Sequence, residues 1–382
     1  MDQKMEFALK ALSTENFGEL CREYGISRKT GYKWRGRFVE LGRSGLADRS
    51  RRPKGHRNQL SEEVVCELVS LKQAHRSWGP EKIRELYRRR QIGELPSLSS
   101  VKRVLEKAGM VKKRKTRRVK ATERLNSQRV AKACNDVWTI DFKGWWRDPN
   151  GKRCEPLTLR DEYSRYVLSL ERTADGKAKT VRKVLERAFE RYGLPSAIRS
   201  DNGSPFASTR ALLGLSKLSV WWLALGIDLE RNRPGCPQDN GAHERMHRDI
   251  KSELAGLRSD QNAFDQWRQI FNEERPHQAL GNRTPSEVYE ASQRVYEGTP
   301  DDLEYEWKET RKVAQPGTIG VNRYYVFLST ALAGWTVGLE EKSPGWQTVY
   351  FSNLQLGRIE MATGVFVPYG TKTPDEKATE NM

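Results

Sequence analysis

Val137-Trp138-Thr139-Ile140-Asp141-Phe142-Lys143 reads as a β-strand with two unlike faces. Side chains alternate across a strand, so Trp138, Ile140 and Phe142 turn toward a core while Thr139 and Asp141 project from the other side. A carboxylate placed there can meet a metal ion instead of sitting unpaired among apolar groups. Working outward, Pro156 to Arg160 and Tyr166 to Glu171 predict two further strands. Lys179 to Tyr192 predicts an amphipathic helix with Val181, Val184, Leu185 and Phe189 inward, and Ala197 to Ser200 a fourth strand. Another helix is expected over much of Thr209 to Leu225, and a fifth strand over Asp228 to Asn232. Three strands, then helix, strand, helix, strand and further helices predict an α/β core over residues 133–290.

Two more acids punctuate this pattern. Asp201, in Arg199-Ser200-Asp201-Asn202-Gly203, follows the fourth strand. Glu244, in Pro237-Gln238-Asp239-Asn240-Gly241-Ala242-His243-Glu244-Arg245, lies on a helix that should begin near Asn240 or Gly241, after the Pro234-Gly235-Cys236-Pro237 break. On that helix Glu244, His247 and Lys251 fall at i, i+3 and i+7 and share a face. Each acid alone has an ordinary explanation: Asp141 as a surface residue of a strand, Asp201 as part of an Asp-Asn-Gly turn, Glu244 on a solvated helix. Lys251 reads either as a phosphate contact or as a surface lysine. His277, after Arg275-Pro276, reads as a packing residue, and Asp161, before Ser164-Arg165, as part of a hairpin turn.

Upstream of the core the chain reads as helices marked off by caps. Asn16 to Tyr24 forms one segment, Gly25 closes it, Ser27 caps the next, and Arg28 to Leu41 is the second helix. Trp34, Phe38 and Leu41 should face a core, leaving Arg28, Lys29, Lys33, Arg35 and Arg37 over the remaining surface. Residues 1–52 therefore read as a helix-turn-helix DNA-binding unit with a basic recognition helix, or as a helical hairpin with a solvated basic face. A second such unit is expected over 53–110, with Val64, Val65, Leu68 and Leu71 on one helix, Pro80 opening another with Ile83, Leu86 and Tyr87, and Val101, Val104, Leu105 and Ala108 on a third that Gly109 closes. Residues 111–132, which include Lys112, Lys113, Arg114 and Lys115, form a basic linker, either ordered by DNA or a plain tether. A connector over 291–320 should lead to a small β-barrel over 321–370, with short strands at Arg323 to Leu328, Trp335 to Leu339, Thr348 to Phe351, Leu354 to Ile359 and Val365 to Val367, and a polar tail over 371–382.

Composition narrows the partners. A formal charge of +18 and a pI near 9.7 favour a polyanion, and nucleic acid above others, because Lys and Arg that neutralise phosphates release condensed counterions. Charge by itself leaves ribosomal or membrane-surface binding open. No apolar run approaches the ~20 residues of a membrane span, and Met1-Asp2-Gln3-Lys4-Met5-Glu6 lacks a signal-peptide pattern, so a soluble cytoplasmic protein is expected. The five cysteines are scattered, without Cys-x-x-Cys, and read as reduced thiols, not as a disulfide frame or zinc site.

Arg199-Ser200-Asp201-Asn202-Gly203-Ser204-Pro205-Phe206, the run from Pro234 to Lys251, and Glu274-Arg275-Pro276-His277-Gln278-Ala279-Leu280 resemble insertion-sequence transposases of the DDE superfamily, relatives of retroviral integrases. The resemblance spans nearly the whole chain and is weakest in the tail. It implies a ribonuclease-H-like catalytic core in which Asp141, Asp201 and Glu244 are both catalytic residues and metal ligands, with two Mg²⁺ ions per site and Mn²⁺ as substitute. It further implies DNA cleavage and strand transfer at the ends of a bacterial element, double-stranded DNA (element ends and target) as partner, and a homo-oligomer on DNA. Arg28, Lys29, Lys33, Lys251 and the four basic residues from Lys112 to Lys115 are the expected DNA contacts. One departure is the 42 residues, 202 to 243, between the second and third acids, more than in many relatives. The surplus is expected to lengthen the helix and turn around Leu215 to Leu225, at small cost in loop closure. A non-catalytic DNA-binding regulator and a nuclease on the same fold are the competing functions.

Overall fold

A computed structural model describes residues 3–48, 60–111, 129–151, 153–173, 175–209, 211–233, 240–254, 260–306 and 309–371. It divides into two compact units, Met1–Ser61 and Glu62–Met382.

The first unit is built from α1 (Gln3–Ser13), α2 (Phe17–Glu23) and α3 (Arg28–Leu41). Asn16 and Ser27 cap α2 and α3 by accepting from the backbone N–H of Glu19 and Thr30. Phe7 of α1 lies at the centre, with the rings of Phe17, Tyr24 and Trp34 edge-on to it. The face that α3 turns inward starts one turn earlier than its apolar stripe predicts. Gly31 is buried, and a Cβ there would come within 2.7 Å of the Cys21 sulfur and 2.9 Å of the Phe7 ring. Leu41 is 52% exposed. The missing side chain at Gly31 lets the helices approach, so Gly31 and Trp34, not Leu41, set the packing.

The second unit opens with α4 (Glu62–Ala74), α5 (Pro80–Arg89) and α6 (Leu98–Lys107). Gly79 and Pro80 start α5 as expected, and Leu68, Leu71, Ile83, Leu86, Tyr87, Val101 and Leu105 are buried. This module is tied to a segment nearly two hundred residues further along the chain. Arg89 makes two 2.9 Å bonds to the Glu287 carboxylate and a 3.0 Å bond to the Asn282 carbonyl.

The α/β core consists of β1 (Val137–Phe142), the hairpin β2 (Trp146–Arg147) and β3 (Arg153–Cys154), β4 (Pro156–Asp161), β5 (Val167–Arg172), α7 (Ala178–Tyr192), β6 (Ala197–Ser200), α8 (Lys217–Ala224), β7 (Asp228–Arg231), α9 (Gly241–Leu254) and α10 (Gln261–Gln269). Its sheet has the order β5-β4-β1-β6-β7, with β4 antiparallel to β5 and β1, and β6 parallel to β1 and β7. Trp138 and Ile140 join α7 and α8 residues in one core. Val167 and Leu170 join Met246, Ile250 and Leu254 of α9 and Phe264 and Trp267 of α10 in another. The sheet thus carries helices on both faces, and the two faces of β1 serve different layers, as its alternation predicts.

The helix expected over much of Thr209 to Leu225 is shorter. Among the described residues only a 3₁₀ turn, Leu212–Gly214, precedes the eight residues of α8, so the surplus between the second and third acids does not lengthen this helix. Leu218 to Ala224 are all buried because α8 is covered twice. Trp221 and Trp222 face the sheet, while Val220, Leu223 and Ala224 pack against the tail.

The tail starts earlier than residue 321. β8 (Glu309–Lys312) and β9 (Thr318–Val321) fall in the expected connector and join β10 (Tyr324–Phe327), β11 (Thr336–Ser343), β12 (Trp346–Phe351), β13 (Leu354–Glu360) and β14 (Phe366–Pro368). An antiparallel sheet, β14-β13-β12-β11-β8, and the ribbon β9-β10 enclose a shared core of Val313, Ile319, Val337, Val349, Phe351 and Ile359.

Candidate active site

Asp141 projects from β1 away from Trp138 and Ile140, as the alternation requires, with its carboxyl 26% exposed. Asp201 follows the last residue of β6, and its Oδ1 accepts from the Gly203 N–H at 3.1 Å, the turn that its Asp-Asn-Gly sequence favours. Glu244 is exposed in the first turn of α9, where the helix dipole favours an anion. The three meet electrostatically at Asp141. Burial first, then the charge of Asp201, and also that of Glu244, push the Asp141 carboxyl up to about 7, against the Phe142 N–H and Lys143. Among the described residues no group of three or more His, Cys, Asp or Glu side chains stands ready to hold a metal ion. The chemistry of the donor set nevertheless fits a hard cation: three carboxylates offer only oxygen, and positive charge between them would offset the repulsion that adds to burial in raising Asp141.

Behind Asp141 lies a layer that the sequence reading missed. Thr158 stands opposite Asp141 in the β1/β4 register, and its Oγ1 donates to the Asp141 carbonyl at 2.9 Å. The same oxygen lies 2.6 Å from His243 Nε2 and 2.7 Å from His247 Nε2. With its one proton committed, the hydroxyl accepts from both rings, which assigns each imidazole its Nε2–H tautomer. His243 Nδ1 then accepts from Thr139 Oγ1 at 2.7 Å, and His247 Nδ1 faces Asp141 Oδ2 at 3.8 Å. Both rings are held neutral: burial drives His243 well down, and burial with Lys143 and Arg160 nearby drives His247 down to about 3. α9 is thereby pinned to β1 and β4 on both sides of Glu244. His247 was singled out for its position, but His243 was not; the visible signal was its i, i+4 spacing to His247.

Beneath Asp201, Arg231 of β7 donates to Ser200 Oγ at 2.9 Å and approaches the Asp201 carbonyl at 3.4 Å. Lys251 is exposed, and its charge, after burial, lowers the pKa of Lys143, so two ammonium groups stand near the acids. His277 is buried edge-on to Phe271 at 4.8 Å, and Asp161 accepts from the Asn135 and Ser164 backbone, so both pack as expected. Arg28, Lys29 and Lys33 are exposed on α3 in the other unit, whereas Lys112, Lys113, Arg114 and Lys115 lie outside the described residues.

A mixed sheet in this order, with acids on β1, after β6 and on α9, defines a ribonuclease-H-like core of integrase type. Family models agree: integrase core domain models match residues 131–237 and 225–285, a helix-turn-helix domain model matches 3–54, and a homeodomain-like domain model matches 30–105. The chain is 28% identical over 240 residues to the insertion element IS407 uncharacterized 31.7 kDa protein of Burkholderia multivorans (strain ATCC 17616 / 249), which covers 61% of this chain and 81% of that protein. It is also 28% identical over 236 residues to the insertion element IS476 uncharacterized 39.2 kDa protein of Xanthomonas euvesicatoria, covering 59% of this chain and 64% of that one. A segment of 116 residues is 33% identical to the Gag-Pol polyprotein of baboon endogenous virus (strain M7), spanning 30% of this chain and 6% of the polyprotein. Among solved structures, the HTLV-2 integrase catalytic core domain in complex with magnesium (dimeric form) covers 42% of this chain and 97% of its own at 16% identity and a TM-score of 0.31. The simian T-cell lymphotropic virus intasome in complex with a PP2A regulatory subunit covers 78% of this chain and 100% of its own at 14% identity and a TM-score of 0.36. The chain thus carries integrase core and helix-turn-helix domain matches and is similar to insertion-element proteins, which supports its reading as an insertion-sequence transposase of the retroviral-integrase-like superfamily.

Proposed function

We propose that this protein cuts DNA at the ends of its element and joins the freed strand to a target, with Asp141, Asp201 and Glu244 as the catalytic metal ligands. The observation that carries this reading is the placement of three carboxylates at one end of an integrase-type core, Asp141 on β1, Asp201 after β6 and Glu244 in the first turn of α9, near enough that the charges of Asp201 and Glu244, after burial, both raise the Asp141 carboxyl. Such crowding costs stability and has a use when cations occupy the site. Asp141, Asp201 and Glu244 would hold two Mg²⁺ ions, or Mn²⁺ in their place, which when bound would supply activation of the attacking oxygen and stabilisation of the leaving oxygen in an in-line displacement.

The chain's own residues do the rest. Thr158 and the two neutral histidines hold Asp141 and α9 in fixed relation, so Glu244 meets the strand acids without searching. Lys251 and Lys143 attract the phosphate backbone beside the reacting bond. Arg28, Lys29 and Lys33 on α3, together with the basic run that includes Lys112, Lys113, Arg114 and Lys115, bind the duplex, and the protein works as a homo-oligomer on paired ends. Asp141→Asn, Asp201→Asn and Glu244→Gln should each abolish cleavage and joining of labelled element ends in Mg²⁺, as should EDTA, while gel-shift affinity stays within a few fold, because phosphate contacts elsewhere carry most of the affinity. Near-normal cleavage by any one variant removes that residue from the site.

A further inference from the structure

Between β1 and β4 the chain does not turn directly from one strand into the next. It makes the β2–β3 hairpin, with Trp146 paired to Cys154 and Arg147 to Arg153. The inward face is fixed: Trp146 and Cys154 are buried with Met246, Ile250 and Leu254, so the hairpin is seated on the helix that carries Glu244. The outward face is unusual for a solvated hairpin. Trp145 is 53% exposed, and the guanidinium groups of Arg147 and Arg153 stand 6.0 Å and 5.3 Å from its ring centre. Those two arginines are direct cross-strand partners, and like charges so placed destabilise a hairpin. Arg153 donates to the Glu155 carboxylate at 2.7 Å and Arg147 to the Gly151 carbonyl at 2.9 Å, so of the two guanidinium groups the Glu155 carboxylate bonds one. The loop begins at Lys143, which feels the charges of both Asp141 and Lys251.

A single exposed tryptophan needs no explanation. An exposed indole framed by a like-charge arginine pair, on a hairpin anchored beside the acids, fits a polyanion that also offers flat apolar rings. We propose that the β2–β3 hairpin contacts the DNA end: Arg147 and Arg153 take backbone phosphates near the scissile one, and Trp145 stacks on a base at the strand end. This deepens the proposed activity and rests on it for the choice of DNA as partner.

The test uses the full chain with a short blunt duplex carrying 5-iodouracil at its terminal nucleotides, in EDTA so that binding is read without cleavage. Ultraviolet crosslinks mapped by mass spectrometry should fall on Trp145, vanish in Trp145→Ala and return in part in Trp145→Phe on the same hairpin. Loss of the stacked base should weaken end binding about tenfold. Replacing Arg147 and Arg153 together by Ala should reduce the slope of log affinity against log salt by about two. Trp145 is exposed, so these variants should keep the parent's thermal midpoint. Crosslinks confined to other elements, with unchanged affinity in the hairpin variants, would overturn the proposal even where the acid variants fail to cleave. Crosslinks at Trp145 alongside acid variants that still cleave would instead remove the proposed active site and leave the hairpin contact standing. A change of oligomer mass in Trp145→Ala without DNA, and no change in DNA affinity, would make the hairpin a contact between copies and sink the DNA assignment.

Discussion

Among the described residues three imidazoles are buried and held neutral: His243, His247 at about 3 and His277 at about 2. For His277 the cause is burial first, then the nearby cations Lys82, Arg275, Arg165 and Arg160. Its folded pKa lies below the unfolded value of about 6.5, so the unfolded chain takes up the proton first. The stability it contributes is complete above about pH 6.5 and is lost as the pH falls from there toward 2, by up to about 1.4 kcal/mol per pH unit for one such group. Asp141 has the opposite sign. Its raised pKa makes the folded state the better proton acceptor between about 7 and the unfolded value near 3.9, so it offsets part of the histidine loss. Urea midpoints of the parent and of His277→Gln at pH 7.5 and 5.5 separate the two. The variant should lose less stability over that interval than the parent, and an equal or greater loss would show that His277 is not held neutral.

At the scale of elements, Arg275 ties the second helical module to the helix that carries Glu244. Its guanidinium is 3% exposed, lies 3.0 Å from Asp249 and 3.2 Å from Glu253 of α9, and sits over the rings of Trp78 and Phe271. Ser77 and Trp267 also donate to Glu253, so the turn between α4 and α5 closes on α9. Arg275→Met would leave two partly buried carboxylates without their cation, and a loss of about 3–5 kcal/mol is expected. Hydrogen exchange should accelerate in α5 and α9 together, whereas acceleration limited to α9 would mean that the module is held by other contacts. None of this docking was legible in the sequence, since a charge on a helix does not say which partner it meets. The elements themselves were more legible. The α3, α5, α6 and α7 segments and strands β1, β4, β5, β6 and β7 lie close to their expected bounds, because caps, Pro80 and alternation are local signals. What failed had a tertiary cause: Gly31 in place of Leu41 at a helix contact, α8 shortened and covered on both sides, β8 completed only by the distant β11, and His243 given its role by threonines on two strands of the sheet.

At the scale of the whole molecule, the two helix-turn-helix modules differ in their attachment. Residues 62–110 belong to the same compact unit as the core, whereas Met1–Ser61 forms a unit of its own. Removing everything before the core would delete Trp78, which covers the Arg275 guanidinium, and Ser77, which donates to Glu253, so loss of activity in such a truncation would report on folding as much as on DNA reading. Removing residues 1–61 alone avoids that confusion. The shortened protein should keep the parent's thermal transition for the second unit and bind DNA weakly and with strong salt dependence, but should lose preference for its own ends over random duplex, since phosphate contacts carry affinity without sequence information. Unchanged discrimination would place sequence reading in the second unit. The same truncation tests the assembly: a protein lacking residues 1–61 has intact acids but no first reading unit, and Glu244→Gln has the reverse. Each alone should fail to join paired ends, and a mixture should recover joining when one protomer reads the end that another cuts. Recovery requires at least two protomers on the paired ends, which light scattering measures directly. A single-protomer complex with full joining activity would overturn the assembly and leave the acids to act on the DNA that their own chain reads.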